Sequence, residues 1–330
     1  MEDRNVVIIG GGPAGLSAAI FTQPDGWDTL VLEGSWSGGQ GAIAYTVSNY
    51  PGFPPGDGAI LMENMEKQVT SLPPSGAGAE LRYERVVSLN ADDKIVSTEV
   101  NQYRAGAVIL ASGSTMQRLG VPGEEKFIGQ GVSFYAKRDI HQFTGKRVLV
   151  VGGGNTTAKS ALLAKTVASE VVLVHRRQWL RAYPPMAKRL QKIGIQIWYN
   201  TELKEINGDD RVETAVTVNN KTGDKKEIPV DWIVICVGTE PDAGLAREAG
   251  LEMNGAFVKI NSKMMTSKRG IFACGEITGS DRHLITAAAQ GASAGMAASE
   301  YLALEKVKSG EMFEGAKNGK YAEEYLAMLS

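Results

Sequence analysis

One arrangement of residues occurs twice in this chain, and it restricts the possible folds more than any other feature. Val6-Val7-Ile8-Ile9-Gly10-Gly11-Gly12-Pro13-Ala14-Gly15 and Val148-Leu149-Val150-Val151-Gly152-Gly153-Gly154-Asn155-Thr156-Thr157 each join an apolar run to a glycine cluster and then to helix-opening residues. An unbroken apolar strand is what a parallel sheet buried on both faces requires. The register holds to the end of the next strand: Leu30-Val31-Leu32-Glu33 and Val172-Leu173-Val174-His175 both end 23 residues after the first glycine of their unit. One glycine turn is weak evidence of a ligand, but two strand-turn-helix-strand units in the same register indicate two dinucleotide folds.

In the first unit Gly10 permits the tight turn, Gly12 lets the backbone approach a pyrophosphate, and Gly15 allows helix and strand to pack closely. The backbone N–H groups of Ala14, Gly15 and the turn before them, with the helix dipole, face the phosphates. Glu33 ends the second strand, where a carboxylate accepts the hydroxyls of an adenosine ribose. In the second unit His175 takes that place and is followed by Arg176, Arg177 and Arg181. A carboxylate there would repel a 2′-phosphate, whereas guanidinium groups fork onto one, so NADP(H) is favoured over NAD(H). Its phosphates fall to Gly152, Gly154, Asn155 and Thr156. Thr157 stands where Gly or Ala would pack better and is the feature that fits this site least.

Ala107-Val108-Ile109-Leu110-Ala111-Ser112-Gly113 and Ile233-Val234-Ile235-Cys236-Val237-Gly238 are a second repeated pair, each a buried strand ending in a small-residue turn. Gly270-Ile271-Phe272-Ala273-Cys274-Gly275-Glu276 follows, and then a small-residue helix from about Thr286 to Leu304 that must return to the first domain. The expected fold is α/β, with two Rossmann-like dinucleotide-binding domains that each combine a parallel sheet with additional strands. The first domain is discontinuous: residues 1–115 form its first part and 245–304 its second, residues 116–244 form the inserted domain, and 305–330 are a C-terminal tail.

At 330 residues the chain is long enough for two cores. A net charge of −2 gives no general attraction to nucleic acid or to anionic membrane. Cys236 and Cys274 are 38 residues apart in apolar runs and suggest neither a disulfide framework nor a metal cluster. The first strand begins at Val6, which leaves no room for a signal peptide, and no apolar run approaches the ~20 residues of a membrane span. The expectation is a soluble, cytoplasmic protein without a metal.

Several further motifs lie along this framework: Gly38-Gly39-Gln40, Ser48-Asn49-Tyr50-Pro51-Gly52-Phe53-Pro54, Leu119-Gly120-Val121-Pro122-Gly123-Glu124-Glu125, His175-Arg176-Arg177 and Arg282-His283-Leu284-Ile285-Thr286-Ala287-Ala288. With them the chain resembles the low-molecular-weight thioredoxin reductases over residues 4–304. The resemblance implies an FAD-dependent pyridine-nucleotide oxidoreductase, a homodimer whose nucleotide domain rotates between two poses. It assigns FAD to residues 1–115 and 245–304 and NADP(H) to 116–244. It implies FAD contacts at Gly10, Gly12, Pro13, Ala14, Gly15, Glu33, Gly39, Gln40, Asn49, Val87, Ala111, Ser112, Gly113, Gly275, Glu276, His283 and Leu284. Glu276 stands where the family has Asp, and His283 where it has Gln.

The chain departs from the family at the active site. Where the pattern reads Cys-x-x-Cys-Asp, this sequence reads Tyr135-Ala136-Lys137-Arg138-Asp139. Thiol-disulfide exchange needs one thiolate to attack and a second thiol to resolve, and neither tyrosine nor arginine does either. Thioredoxin reduction by the usual dithiol route is therefore not expected. Asp139 is read as a structural carboxylate, His283 as a group able to tune the flavin or carry a proton, and Tyr135, Tyr321 or Tyr325 as candidates to stack on the ring. Phe313 lies in the same tail as the last two.

The leading expectation is that NADPH reduces the flavin, which passes electrons directly to an acceptor: ferredoxin or flavodoxin, a quinone, or dioxygen. Lys137 and Arg138 suit an acidic protein partner. Two alternatives are a flavoenzyme fed by ferredoxin or another flavin with a vestigial NADP(H) site, and a non-enzymatic FAD-binding redox sensor or scaffold.

Overall fold

Val6, Val7, Ile8 and Ile9 are all buried, alternating between two apolar clusters on opposite faces of one sheet. That double burial is why the run is uniformly apolar rather than alternating. The structure, a computed structural model, describes residues 1–71 and 79–309, so Phe313, Tyr321 and Tyr325 lie outside the described residues. The chain divides into two compact units, one formed by Met1–Ser114 together with the chain from Pro241 onward, the other by Thr115–Glu240.

In the first unit the strands Ala79–Arg82, Thr29–Leu32, Glu2–Ile9 and Gln102–Leu110 lie side by side in parallel. On its edge away from Glu2–Ile9, the nine-residue strand Gln102–Leu110 serves two neighbours along its length. Its start pairs antiparallel with Ile95–Thr98, which pairs in turn with Val86–Asn90, and its end, Val108–Leu110, pairs in parallel with Ile271–Ala273. Ile271–Ala273 thus rejoins the sheet long after the first part of the unit has ended. The following helix, Leu284–Ser309, starts two residues before the expected Thr286. It packs on Pro13–Thr22 so closely that a Cβ on Gly291 would run into the backbone of Ala14. The small residues of both helices are what permit that approach, and burial of the Leu16, Ala18 and Ala298 side chains between sheet and helices follows from it.

In the second unit five parallel strands lie in the order Gln196–Tyr199, Glu170–His175, Arg147–Gly152, Trp232–Cys236, Val132–Ser133. The helix Asn155–Ala164 crosses over between the second and third of these in space, as Pro13–Thr22 does in the first unit. A separate antiparallel sheet of Thr201–Asn207, Thr214–Asn219 and Lys225–Pro229 supplies the additional strands. Both sheets therefore present the ends of parallel strands to a helix N-terminus, where open α/β folds bind their ligands. Among the described residues no helix is long and apolar enough to cross a membrane.

Candidate functional site

The two glycine turns have nearly the same backbone. Gly10 and Gly152 have φ of +115° and +143°, and the residues that cap the helices, Gly12 and Gly154, have φ/ψ of −80°/−176° and −95°/−174°. A Cβ on Gly10 would strike the Ala111 carbonyl and one on Gly15 the Gly10 carbonyl, so these two positions are closed to any side chain. Beside Gly12 and Gly154, in contrast, no atom lies within 4 Å of where a Cβ would stand. The backbone is open there to an approaching phosphate, and Pro13 and Ala14, or Asn155 and Thr156, begin the helix behind it.

Around the first turn the expected FAD contacts come together within one unit. Glu33 is 9% exposed; it accepts the Gly11 N–H at 2.8 Å through one oxygen and the Ser35 N–H at 2.9 Å through the other. The carboxylate is thereby fixed at the strand end. The Gly38-Gly39-Gln40 segment folds onto the turn through the Gly38 N–H, which donates to the Gly11 carbonyl at 2.7 Å. Gln40 donates through Nε2 to the carbonyl and Oγ of Ser114, at 2.7 and 2.8 Å, and Ser114 Oγ donates to Glu276 Oε2 at 2.5 Å. Asn49 Nδ2 is 3.5 Å from His283 Nδ1, at the start of the helix that Leu284 opens.

Ala111, Ser112 and Gly113 form the turn after Gln102–Leu110. Ala111 N–H donates to the Ile9 carbonyl, and Ser112 Oγ holds the Asp242 carbonyl at 2.7 Å. Gly275, with φ +80°, donates its N–H to Gln290 Oε1 at 2.8 Å. Val87 is exposed on Val86–Asn90. Ser114, Asp242 and Gln290 were not singled out from sequence. Their roles depend on partners 15 to 162 residues away, and no local pattern marks such pairs.

Around the second turn His175 occupies the place that Glu33 has in the first, beneath the middle glycine: a Cβ on Gly153 would overlap its ring. His175 is 5% exposed, and its Nε2 has no hydrogen-bond partner. Burial pushes the imidazole below its ordinary pKa, against the opposing pull of backbone hydrogen bonds to Trp179 and Gly152. His175, expected among the NADP(H) contacts, lies under the turn as Glu33 does under the first, while Arg176, Arg177 and Arg181 are exposed and form no ion pair among the described residues. Thr157 is fully accommodated. Its Oγ1 accepts the N–H of the helix cap, Gly154, at 3.3 Å and donates to the Cys236 carbonyl at 3.1 Å, tying the helix start to the end of Trp232–Cys236.

At the positions where the family carries its two cysteines, Tyr135 and Arg138 touch each other. The Arg138 guanidinium carbon is 4.8 Å from the Tyr135 ring centre, while Nε and Nη2 bind the two oxygens of Asp139 at 2.8 and 3.0 Å. Asp139 also accepts from Ser133 Oγ at 2.5 Å, and Ser133 Oγ accepts the Tyr135 N–H at 3.0 Å. Next to this pair Arg118 lies over Phe134 at 4.2 Å. Asp139 thus bonds both Arg138 and Ser133, and through Ser133 is linked to the Tyr135 backbone. Burial raises the Tyr135 phenol and Asp139 raises the Arg138 guanidinium, so the first stays neutral and the second charged near neutral pH. Both cysteines are buried elsewhere, with thiols pushed up to about 11 for Cys236 and about 12 for Cys274 by desolvation.

Residues 4–292 match the pyridine nucleotide-disulphide oxidoreductase family. The chain belongs to this family. A thioredoxin reductase of Treponema pallidum (strain Nichols) is 35% identical over 305 residues, which cover 91% of this chain and 97% of that protein. The crystal structure of Lactococcus lactis thioredoxin reductase superposes with a TM-score of 0.82 at 32% identity, covering 91% of this chain and 99% of that one. The thioredoxin reductase of T. acidophilum gives 0.81 at 28% identity, with 91% and 98% covered. The chain is a thioredoxin-reductase-like, FAD-dependent oxidoreductase with two dinucleotide-binding folds, and FAD and NADPH are the cofactors of the thioredoxin reductases it resembles.

Proposed function

We propose that this family member oxidises NADPH and delivers the electrons from FAD directly to an acceptor, without a protein dithiol between them. Bound FAD supplies the two-electron chemistry at the donor side and the release of electrons at the acceptor side. The protein's own residues bind and orient. Gly10, Gly12, Ala14 and Glu33 hold the adenosine diphosphate part of FAD, and Gly275, Glu276, Gln40 and Asn49 serve the remainder. Gly152, Gly154, Asn155 and Thr156 take the NADPH pyrophosphate, with Arg176, Arg177 and Arg181 on the 2′-phosphate. The engaged Thr157 hydroxyl, bonded to the Cys236 carbonyl, supports this reading of the second turn.

The observation that carries this reading is the Tyr135–Arg138 contact. A tyrosine and an arginine in cation–π contact stand where the relay dithiol would be, and both thiols of the chain are buried, Cys236 at the end of one strand and Cys274 just after another. Lys137 and Arg138 favour an acidic electron-transfer protein such as a ferredoxin or flavodoxin as acceptor. Steady-state NADPH oxidation is expected with ferricyanide and with such a protein, falling with added salt for the protein alone. Negligible turnover with every acceptor, despite bound FAD and rapid NADPH binding, would contradict the reading.

The same reading takes the protein as a homodimer. Phe21 and Met296, 41% and 51% exposed on the two packed helices of the first unit, support a covered apolar face there. Light scattering of the eluted holoenzyme is expected to give twice the mass of one chain.

A further inference from the structure

Trp179 and Tyr183 are 59% and 67% exposed, on the loop that also carries Arg176, Arg177 and Arg181. Of the five tryptophans Trp179 alone is exposed. Aromatic rings are ordinarily placed where their large area is buried, and exposed ring surface interleaved with polar donors marks a place where something binds.

The loop that carries them is pinned to the glycine turn. The N–H groups of Arg181 and Ala182 both donate to the Gly153 carbonyl, at 2.7 and 3.0 Å. Tyr183 N–H donates to Oδ1 of Asn155, the first residue of the helix behind the turn, at 2.9 Å. Trp179 lies two residues before the pinned Arg181, on the loop that leaves the strand end at His175. Pro184 and Pro185 follow at once and fix the chain beyond Tyr183, which is held at φ −55° and ψ 139°, the extended conformation favoured before proline. Tyr183 is thus held at its backbone beside the phosphate-binding turn, and Trp179 is on the same pinned loop, with Arg176, Arg177 and Arg181 before and between the two rings. Such fixing lowers the ordering cost of binding.

In NADP(H) the ribose that carries the 2′-phosphate also carries the adenine, so a loop that grips this phosphate is adjacent to the base. Guanidinium groups fork onto the phosphate, and an aromatic face offers the flat heterocycle a stacking surface. We infer that Trp179 and Tyr183 provide the stacking surface for the adenine ring of NADP(H), dividing recognition between arginines for the 2′-phosphate and aromatic faces for the base. This rests on the second unit being an NADP(H) site.

The test is calorimetric titration of the FAD-loaded protein with 2′,5′-ADP, which carries both the base and the phosphate. The double variant Trp179→Ala/Tyr183→Ala is expected to bind at least roughly tenfold more weakly, with FAD content and circular dichroism unchanged because both residues are on the surface. Trp179→Phe/Tyr183→Phe is expected to bind as the parent does, since the faces are kept. Binding to the parent with no loss in the double alanine variant would overturn the inference and leave the NADP(H) site standing. Absence of binding to the parent at millimolar ligand would overturn both, and Arg176→Ala weakening the parent's binding would confirm that the ligand is in the intended site.

Discussion

The Arg138 guanidinium carbon sits 4.8 Å from the centre of the Tyr135 ring, so the two residues that replace the family's cysteines are in contact with each other. A covalent link that opens and closes has given way to a cation–π pair that carries no electrons. Asp139, clamped by Arg138 and Ser133, keeps the pair in one arrangement.

If the pair is a structural unit, removing either partner should cost stability, and removing both should cost less than the sum. A double-mutant cycle of Tyr135→Leu and Arg138→Met, read by urea unfolding, is expected to give a coupling of about 0.5–1 kcal/mol. A coupling indistinguishable from zero would mean the rings and the guanidinium are merely neighbours.

Both thiols should be silent in the native protein. Desolvation pushes Cys236 to about 11 and Cys274 to about 12, so neither has an appreciable thiolate fraction near neutral pH. A colorimetric thiol reagent at pH 7 is expected to label neither cysteine in the folded holoenzyme and both in denaturant. Rapid native labelling of Cys274 would reopen a thiol-based route.

His175 should make the protein acid-sensitive. Burial holds its folded pKa below the ordinary 6.5, so as pH falls the unfolded chain takes up the proton first. The stability associated with neutral His175 is fully present above about pH 6.5 and is lost as pH drops from there through the folded value. The parent is therefore expected to lose more stability between pH 7.5 and 5.5 than His175→Phe, on the order of one 1.4 kcal/mol step per unit of pKa depression. Equal losses in both proteins would refute this assignment.

Ser114 links Gln40 to Glu276, and Glu276 is one methylene longer than the family's aspartate. Ser114→Ala should leave the part-buried carboxylate without its donor, at a cost of about 1–3 kcal/mol. Loss of FAD at lower temperature in a flavin-fluorescence melt, restored by Ser114→Thr, is the expected result. An unchanged flavin-release temperature would show that Glu276 is satisfied without Ser114.

Much of this architecture is legible in the sequence because glycine is required by geometry. Gly10 and Gly152 sit at positive φ against the carbonyls of Ala111 and Cys236, so strand, turn and helix can be placed from residue types alone. The basic loop after His175 is equally visible, because its arginines follow a strand end whose position the repeat defines. His175 itself is less so. A histidine next to two arginines looks like one more cation, yet the strand end it occupies lies under Gly153, as Glu33 lies under Gly11, and burial there disfavours its charge. Thr157 looks unfavourable in a position that suits small residues. Its hydroxyl finds the Cys236 carbonyl 79 residues away, a partner that only the folded sheet supplies. Ser114 with Glu276 and Ser112 with Asp242 are hidden for the same reason.

The absence of a dithiol relay is tested most directly by reducing the FAD-loaded protein with NADPH in the absence of oxygen and then mixing it with oxidised thioredoxin while following flavin absorbance. The flavin should stay reduced on mixing with thioredoxin and reoxidise promptly when ferricyanide is added. Reoxidation by thioredoxin itself, at a rate matching steady-state NADPH consumption, would contradict direct transfer and require a thiol pathway through a chain whose two cysteines are both buried.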